Sequence, residues 1–351
     1  MPITETFPAE DWITVPPSEV RIDSEKLAQA KTWLDRNAPG TPYRVAIVRH
    51  GYLIAEWTRG IGSQEKIHIA SAVKSLISSM IGIAEAEGKI RSADDLAVDY
   101  FPEFMDVPEG RGPKEGRYAF EANRGATIRQ LICNVSGYLK PGEEPGKVFN
   151  YQTTGMCAVT HCIETAYGVY DANDPEGSPK IPVLYKEKIA DPIHADFEYR
   201  SGSQNMQENA RLEIFGWGTA VRPNLRDHAR LGWLWCNFGR WEDKQVIPEK
   251  WMREAGKVNR FILENCPENT WRYGHGFWSN ECGKLWPDLD RDSFTSWGAG
   301  GHYAISFPSR DLVVIMDPVE FEGQAKPYET TTVTWLKQQE ILKIILDSVM
   351  E

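Results

Sequence analysis

The chain has 351 residues, 41% hydrophobic and 25% charged, with a net charge of -11 and a pI near 5.3. That length can bury a sizeable core as one large domain or as two lobes. The acidic balance argues against nucleic acid as a partner, because phosphate binding rests on Lys and Arg displacing counterions.

After a Pro-rich lead, SEKLAQAKTWLDRNA predicts a helix from Ser24, with Ser24 as N-cap and Leu27, Ala30 and Leu34 on one stripe. YRVAIVRHGYLIAEWTRG predicts two strands around a turn at His50 and Gly51. The next strong helix begins near Ser71 and runs to Gly88. Helical stretches over 127–133, 153–167, 224–237 and 248–258 follow, between Gly- and Pro-rich loops. HYAISFPSRDLVVIMDP predicts two more strands around the turn from Pro308 to Asp311, and TVTWLKQQEILKIILDSVM a terminal amphipathic helix.

A two-stranded hairpin is marginal alone, so both chain ends are expected to join in one antiparallel sheet with helices packed on it. Residues 1–89 and 286–351 then make a discontinuous α/β sheet lobe. Residues 90–285 make a mainly helical lobe inserted in it, with the site in the cleft between the two.

No basic segment followed by an apolar one opens the chain, and no run approaches about eighteen apolar residues, so neither export nor a membrane span is expected. The cysteines (Cys133, Cys157, Cys162, Cys236, Cys266 and Cys282) are scattered, with no Cys-x-x-Cys pair and no zinc-like His spacing. Free thiols in a reducing cytoplasm are the expected state, with no metal site.

The pattern Ser-x-x-Lys occurs twice, at Ser63 and Lys66 and at Ser71 and Lys74. One chance occurrence is expected in roughly this length of chain, so context decides. Ser63 lies in a polar turn among Gln64, Glu65 and Lys66. Ser71 opens a helix whose inward positions are Val73, Leu76, Ile77, Met80, Ile81 and Ile83. A serine there is an N-cap or a nucleophile. Lys74 shares its face among apolar neighbours, and burial and the positive helix end both favour a neutral amine able to take a hydroxyl proton.

Tyr-x-[Ser/Thr/Asn] occurs at Tyr151 with Thr153, at Tyr199 with Ser201 and at Tyr328 with Thr330; only the first follows a Pro-Gly turn and leads into a helix. SFTSWGAGGHYAISF carries Gly298, Gly300 and Gly301 before an apolar strand, either a tight strand entry or a place where backbone N–H groups approach a ligand. The tryptophans concentrate late in the chain (among them Trp217, Trp233, Trp235, Trp241, Trp271, Trp278 and Trp286) and are expected in the core. Trp297 is the exception, expected at the cleft wall. The histidines are dispersed, and only His302, beside the glycine loop, is expected near the cleft. Gly-x-Ser-x-Gly and His-Glu-x-x-His are both absent from the sequence, which argues against an α/β-hydrolase and a zincin.

Taken in order, these pieces resemble the serine β-lactamase and penicillin-recognising superfamily, in its class C-like branch with the family VIII carboxylesterases and 6-aminohexanoate-dimer hydrolase. IASAVKSL is similar to its Ser-x-x-Lys region, and ATIRQLICNVSGY to its Thr-Ile-Arg-x-Leu-Leu-x-x-x-Ser-Gly stretch. PGKVFNY resembles its lead into the second motif, FGWGTAVRPNLRDHARLGWL a later helix-leading segment, and WGAGGHYAISFPSRDLVVIM its third motif. The resemblance spans roughly residues 25 to 345.

It implies an α/β (α+β), β-lactamase/transpeptidase-like fold, an antiparallel sheet flanked by helices with an inserted helical lobe. It implies Ser71 as nucleophile, Lys74 and Tyr151 as one coupled base, and the backbone N–H groups of Ser71 and Ala299 as oxyanion hole. Thr153, Ser296, Trp297, Gly298 and His302 are implied on the substrate side, with no metal or organic cofactor. Two positions depart from the pattern: Thr153 stands where lactamases and peptidases have Asn, and Ser296 where they have Lys or His. The cation that pairs with a penicillin or peptide carboxylate is missing, so a small uncharged ester or amide is the expected substrate, hydrolysed in the cytoplasm. The alternatives are a β-lactamase or DD-peptidase, an acyltransferase, and a non-catalytic binding or sensor protein that keeps the fold.

Overall fold

The β-branched run Tyr43–Arg49 (β1) is buried at every position, which requires neighbours on both edges and both faces. It finds them in a six-stranded antiparallel sheet. Its partner β2 (Tyr52–Arg59) returns through His50 and Gly51, at φ 51° and 83°, the left-handed pair that a two-residue hairpin requires. Two small hairpins lie outside this sheet, β3 (Glu198–Gly202) with β4 (Gly218–Arg222), and β5 (Arg240–Trp241) with β6 (Lys244–Gln245). The remaining strands are β7 (Trp278–Ser279), β8 (Phe294–Gly298), β9 (His302–Phe307) and β10 (Leu312–Met316), giving the order β2-β1-β10-β9-β8-β7. Strands from the two chain ends thus pair directly, Val45 opposite Met316 and Arg49 opposite Leu312. The computed structural model describes residues 3–350 except 172, 175–176, 203–217 and 323–331. Trp217 and the copy at Tyr328 and Thr330 lie outside the described residues.

Helix α1 (Ser24–Asn37) packs against the C-terminal helix Thr332–Asp347. Its N-cap is Asp23, whose carboxylate accepts from the N–H groups of Glu25 and Lys26; Ser24 is the first helical residue. An ionised acceptor is the stronger cap at the positive helix end, and this displaces the expected Ser24 by one position. On the other face, helix Leu225–Cys236 crosses β1, β9 and β10, with Gly232 lying against Val313 and Ile315. That helix and β7, which belongs to the six-stranded sheet, lie within residues 90–285.

Helix α2 (Val73–Ala86) is buried at every residue from Lys74 to Ala84, as a helix apolar nearly all round must be. Its serines stay satisfied inside the core. Ser75 Oγ donates to the Gly276 carbonyl (2.8 Å) and Ser79 Oγ to the Ser75 carbonyl (2.8 Å). The indoles of Trp235 and Trp251 donate to Ser79 and Ser78 at 3.1 and 3.2 Å. These tryptophans combine large apolar area with one polar handle, the arrangement that makes a buried indole favourable.

Candidate active site

Ser71 sits in a 3-10 turn, Ala70–Ala72, immediately before α2. Ala70 takes φ 47°, a left-handed value that costs a non-glycine residue about 1–2 kcal/mol and has to be imposed by its surroundings. Part of that surrounding is Gly298 at the end of β8. A Cβ there would lie 2.0 Å from the Ile69 carbonyl oxygen and 3.2 Å from the Ala72 nitrogen, so only glycine lets the strand press on the turn. Neither the turn nor α2 has a side-chain cap, so the hydroxyl of Ser71 is not spent as one.

Instead Lys74 Nζ donates to Ser71 Oγ at 2.7 Å. Lys74 is 3% exposed, and its amine also lies 3.5 Å from Thr153 Oγ1 and 4.8 Å above the centre of the Tyr151 ring. Ser71, Lys74, Tyr151 and Thr153, chosen from two distant segments, therefore converge on one amine. The other Ser-x-x-Lys copy is spent elsewhere, since Lys66 pairs with Asp196 at 2.6 Å. Ser201, of the second tyrosine copy, bonds Thr219 across β3 and β4.

Tyr151 is placed by a residue that sequence reasoning passed over. Asn134, buried and at φ 58°, accepts from the Asn150 N–H through its backbone carbonyl and from the Gln152 N–H through Oδ1, both at 2.9 Å. The Tyr151 ring then meets Tyr273 edge-on (5.8 Å) and Trp278 (5.6 Å). Burial, with Tyr151 beside it, pushes the Tyr273 phenol well above its ordinary value, so Tyr273 stays protonated as part of the wall.

The third segment divides by strand alternation. Gly298 faces the Ala70–Ala72 turn, and Ala299, Gly300 and Gly301 follow, the two glycines at φ 89° and 83°. Ser296 is fully buried, and its Oγ accepts from the Ala304 N–H at 3.3 Å. Trp297 points to the opposite face, where it meets Trp278 (5.3 Å), Trp335 of the C-terminal helix (5.6 Å) and Tyr303 (6.3 Å). Its link to the Ser71 side runs through Trp278, whose ring touches both Trp297 and Tyr151.

His302 is held by Asp317, Nδ1 to Oδ1 at 2.5 Å. The same carboxylate takes Arg44 (2.9 Å) and His228 (3.1 Å), and all three of Arg44, His228 and Asp317 are fully buried. Burial alone raises the Asp317 carboxyl, but His228 and His302 outweigh it and hold the group well below the usual carboxylate range. Arg44 also donates to the carbonyls of Gly62 and Glu65, on the segment that leads to Ser71. His302 is thus a member of a buried ionic hub beneath the glycine loop.

No family model and no curated protein matches the chain. Solved structures do. A family VIII carboxylesterase aligns with 96% of this chain and 98% of its own at 14% identity, TM-score 0.65. A penicillin-binding protein homolog from Caulobacter crescentus aligns with 92% and 98% at 12% identity, TM-score 0.64. A β-lactamase from Mycobacterium bovis aligns with 92% and 100% at 14% identity, TM-score 0.60. The chain has the β-lactamase/transpeptidase-like fold over nearly its whole length.

Proposed function

We propose that the protein is a serine hydrolase that cleaves a small uncharged ester or amide through an acyl-enzyme on Ser71. The observation that supports this most is the 2.7 Å contact between Lys74 Nζ and Ser71 Oγ, made by a lysine withdrawn from solvent on the first turn of a buried helix. The Lys74 and Tyr151 pair takes the hydroxyl proton as Oγ bonds to the substrate carbonyl carbon. The N–H groups of Ser71 and Ala299 hold the oxyanion, a contribution of about 3 kcal/mol per donor. Collapse breaks the ester or amide bond, and the leaving alcohol or amine departs with the proton. Water then attacks the acyl carbon and restores Ser71 as the acid leaves.

The buried, bonded Ser296 in place of a cation supports an uncharged substrate over a penicillin or a peptide carboxylate. The carboxylesterase named above shares the fold and agrees with this choice. Among the described residues no helix is long and apolar enough to cross a membrane, and we place the reaction in the cytoplasm. The test is turnover of p-nitrophenyl butyrate, the matching anilide and a chromogenic cephalosporin by the native chain and by Ser71→Ala. Ester or anilide turnover reduced at least about a thousandfold in the variant, with the cephalosporin left intact, supports the reading. Equal turnover by both proteins overturns it.

A further inference from the structure

Asn150, the residue before Tyr151, is held at three polar groups. Its N–H donates to the Asn134 carbonyl at 2.9 Å, its side-chain Nδ2 donates to Glu143 Oε1 at 2.7 Å, and its carbonyl accepts from Lys140 Nζ at 3.1 Å. Lys140 and Glu143 stand on the loop after Gly137, where the Lys140 N–H donates to the Gly137 carbonyl and the Glu143 N–H to the Lys140 carbonyl, at 2.9 and 3.0 Å. The carbonyl that Lys140 holds belongs to the planar peptide that joins Asn150 to Tyr151, so the amine fixes the plane from which Tyr151 departs.

Lys140 is 4% exposed, and an ammonium placed there has given up most of its water. Besides the Asn150 carbonyl it meets Glu143 Oε2 at 4.0 Å, an oxygen with no hydrogen-bond partner among the described residues. Arg117 is the other charge that bears on it. Burial pushes the amine down to about 8; Arg117 acts in the same sense and Glu143 against it. A charged donor makes a bond roughly twice as strong as a neutral one. The hold on the Tyr151 peptide is therefore firm below about pH 8 and weakens above it.

We propose that Lys140 is a positioning residue for the reaction, an ammonium latch that holds the Tyr151 peptide in register with Lys74 while it is charged and loosens it when the charge is lost. It acts through Tyr151 and not on the substrate. Glu143 has two parts in the latch: one oxygen holds the Asn150 amide, and its charge keeps the proton on Lys140. Glu143→Gln keeps an oxygen for the Asn150 amide and removes only the charge, so it separates the two. The proposal rests on the reading of Tyr151 as part of the base, and its test therefore has one arm with turnover and one without.

In the first arm, kcat/KM for p-nitrophenyl butyrate is followed from pH 6 to pH 9 in the native chain, Lys140→Met and Glu143→Gln. Lys140→Met is expected to be about fivefold below the native chain at pH 7 and level with it at pH 9. Glu143→Gln is expected to match the native chain at pH 6 and to fall about twofold below it at pH 7.5, because its alkaline limb moves to lower pH. In the second arm, amide hydrogen exchange of the peptide holding residues 150–152 is compared in Ser71→Ala with and without Lys140→Met. Exchange about fivefold faster in the double variant at pH 7, with the difference gone at pH 9, is the expected result. Equal exchange at pH 7, a difference undiminished at pH 9, or an alkaline limb that Glu143→Gln leaves in place overturns the latch. A native chain without turnover whose exchange behaves as expected counts against the hydrolase reading and leaves the latch standing.

Discussion

Asn134 grips the chain on both sides of Tyr151, its carbonyl on the Asn150 N–H and its Oδ1 on the Gln152 N–H, each at 2.9 Å. Two bonds from one buried, left-handed residue leave Tyr151 little freedom to leave the Lys74 amine, whose position 4.8 Å above its ring defines the site.

Replacing that residue separates its two bonds. Asn134→Gly keeps the φ of 58° and the carbonyl but loses Oδ1, and is expected to lower kcat/KM about tenfold, the equivalent of one buried hydrogen bond. Asn134→Ala adds left-handed strain and should lower the melting temperature further than glycine does. Steady-state kinetics and thermal melts check both effects; unchanged kcat/KM in both variants contradicts the clamp.

Gly298→Ala places a methyl 2.0 Å from the Ile69 carbonyl oxygen and must part β8 from the turn that carries Ser71. Loss of about a hundredfold or more in kcat is expected, the size of a lost oxyanion donor, with the circular dichroism spectrum retained. Full activity in a folded Gly298→Ala protein contradicts the contact.

Trp297→Ala removes a ring that touches Trp278, Trp335 and Tyr303. A stability loss of about 2–4 kcal/mol is expected in urea unfolding, larger than any change in preference among esters. Unaltered stability with altered selectivity would return the ring to the cleft wall expected for it from sequence.

Glu164, 5% exposed on helix Thr154–Tyr167, is pushed by burial up to about 7 from an ordinary 4.5, although the Ile181 N–H and Lys180 oppose this. A folded value above the unfolded one means that the folded state binds the proton more tightly. Its stabilising contribution is therefore complete below about pH 4.5 and is lost as pH rises through about 7. Glu164→Gln, which stays neutral, is expected to match the native melt at pH 4 and to exceed it at pH 8 by on the order of 2 kcal/mol. Equal melts at pH 8 contradict the assignment.

The parts legible in the sequence were those set by local chemistry. The β-branched runs of β1, β9 and β10 announced the sheet, and the one-turn spacing of Ser71 and Lys74 put both groups on one helix face. What stayed hidden depends on partners far along the chain. The bond from Asn134 to Gln152 spans 18 residues, and the Asp317 hub joins Arg44, His228 and His302 from separate elements. Strand β7 is too short at two residues to show alternation, and the face taken by Trp297 follows from the register of β8 on β9, which composition does not reveal.

The central claim is that Ser71 is the nucleophile, and intact-protein mass spectrometry after exposure to an activated fluorophosphonate tests it most directly. One adduct on the native chain and on Ser63→Ala, with none on Ser71→Ala, is the predicted result. An adduct retained by Ser71→Ala contradicts the account by placing the nucleophile elsewhere, and no adduct on any of the three contradicts it and gives precedence to a binding protein that keeps the fold.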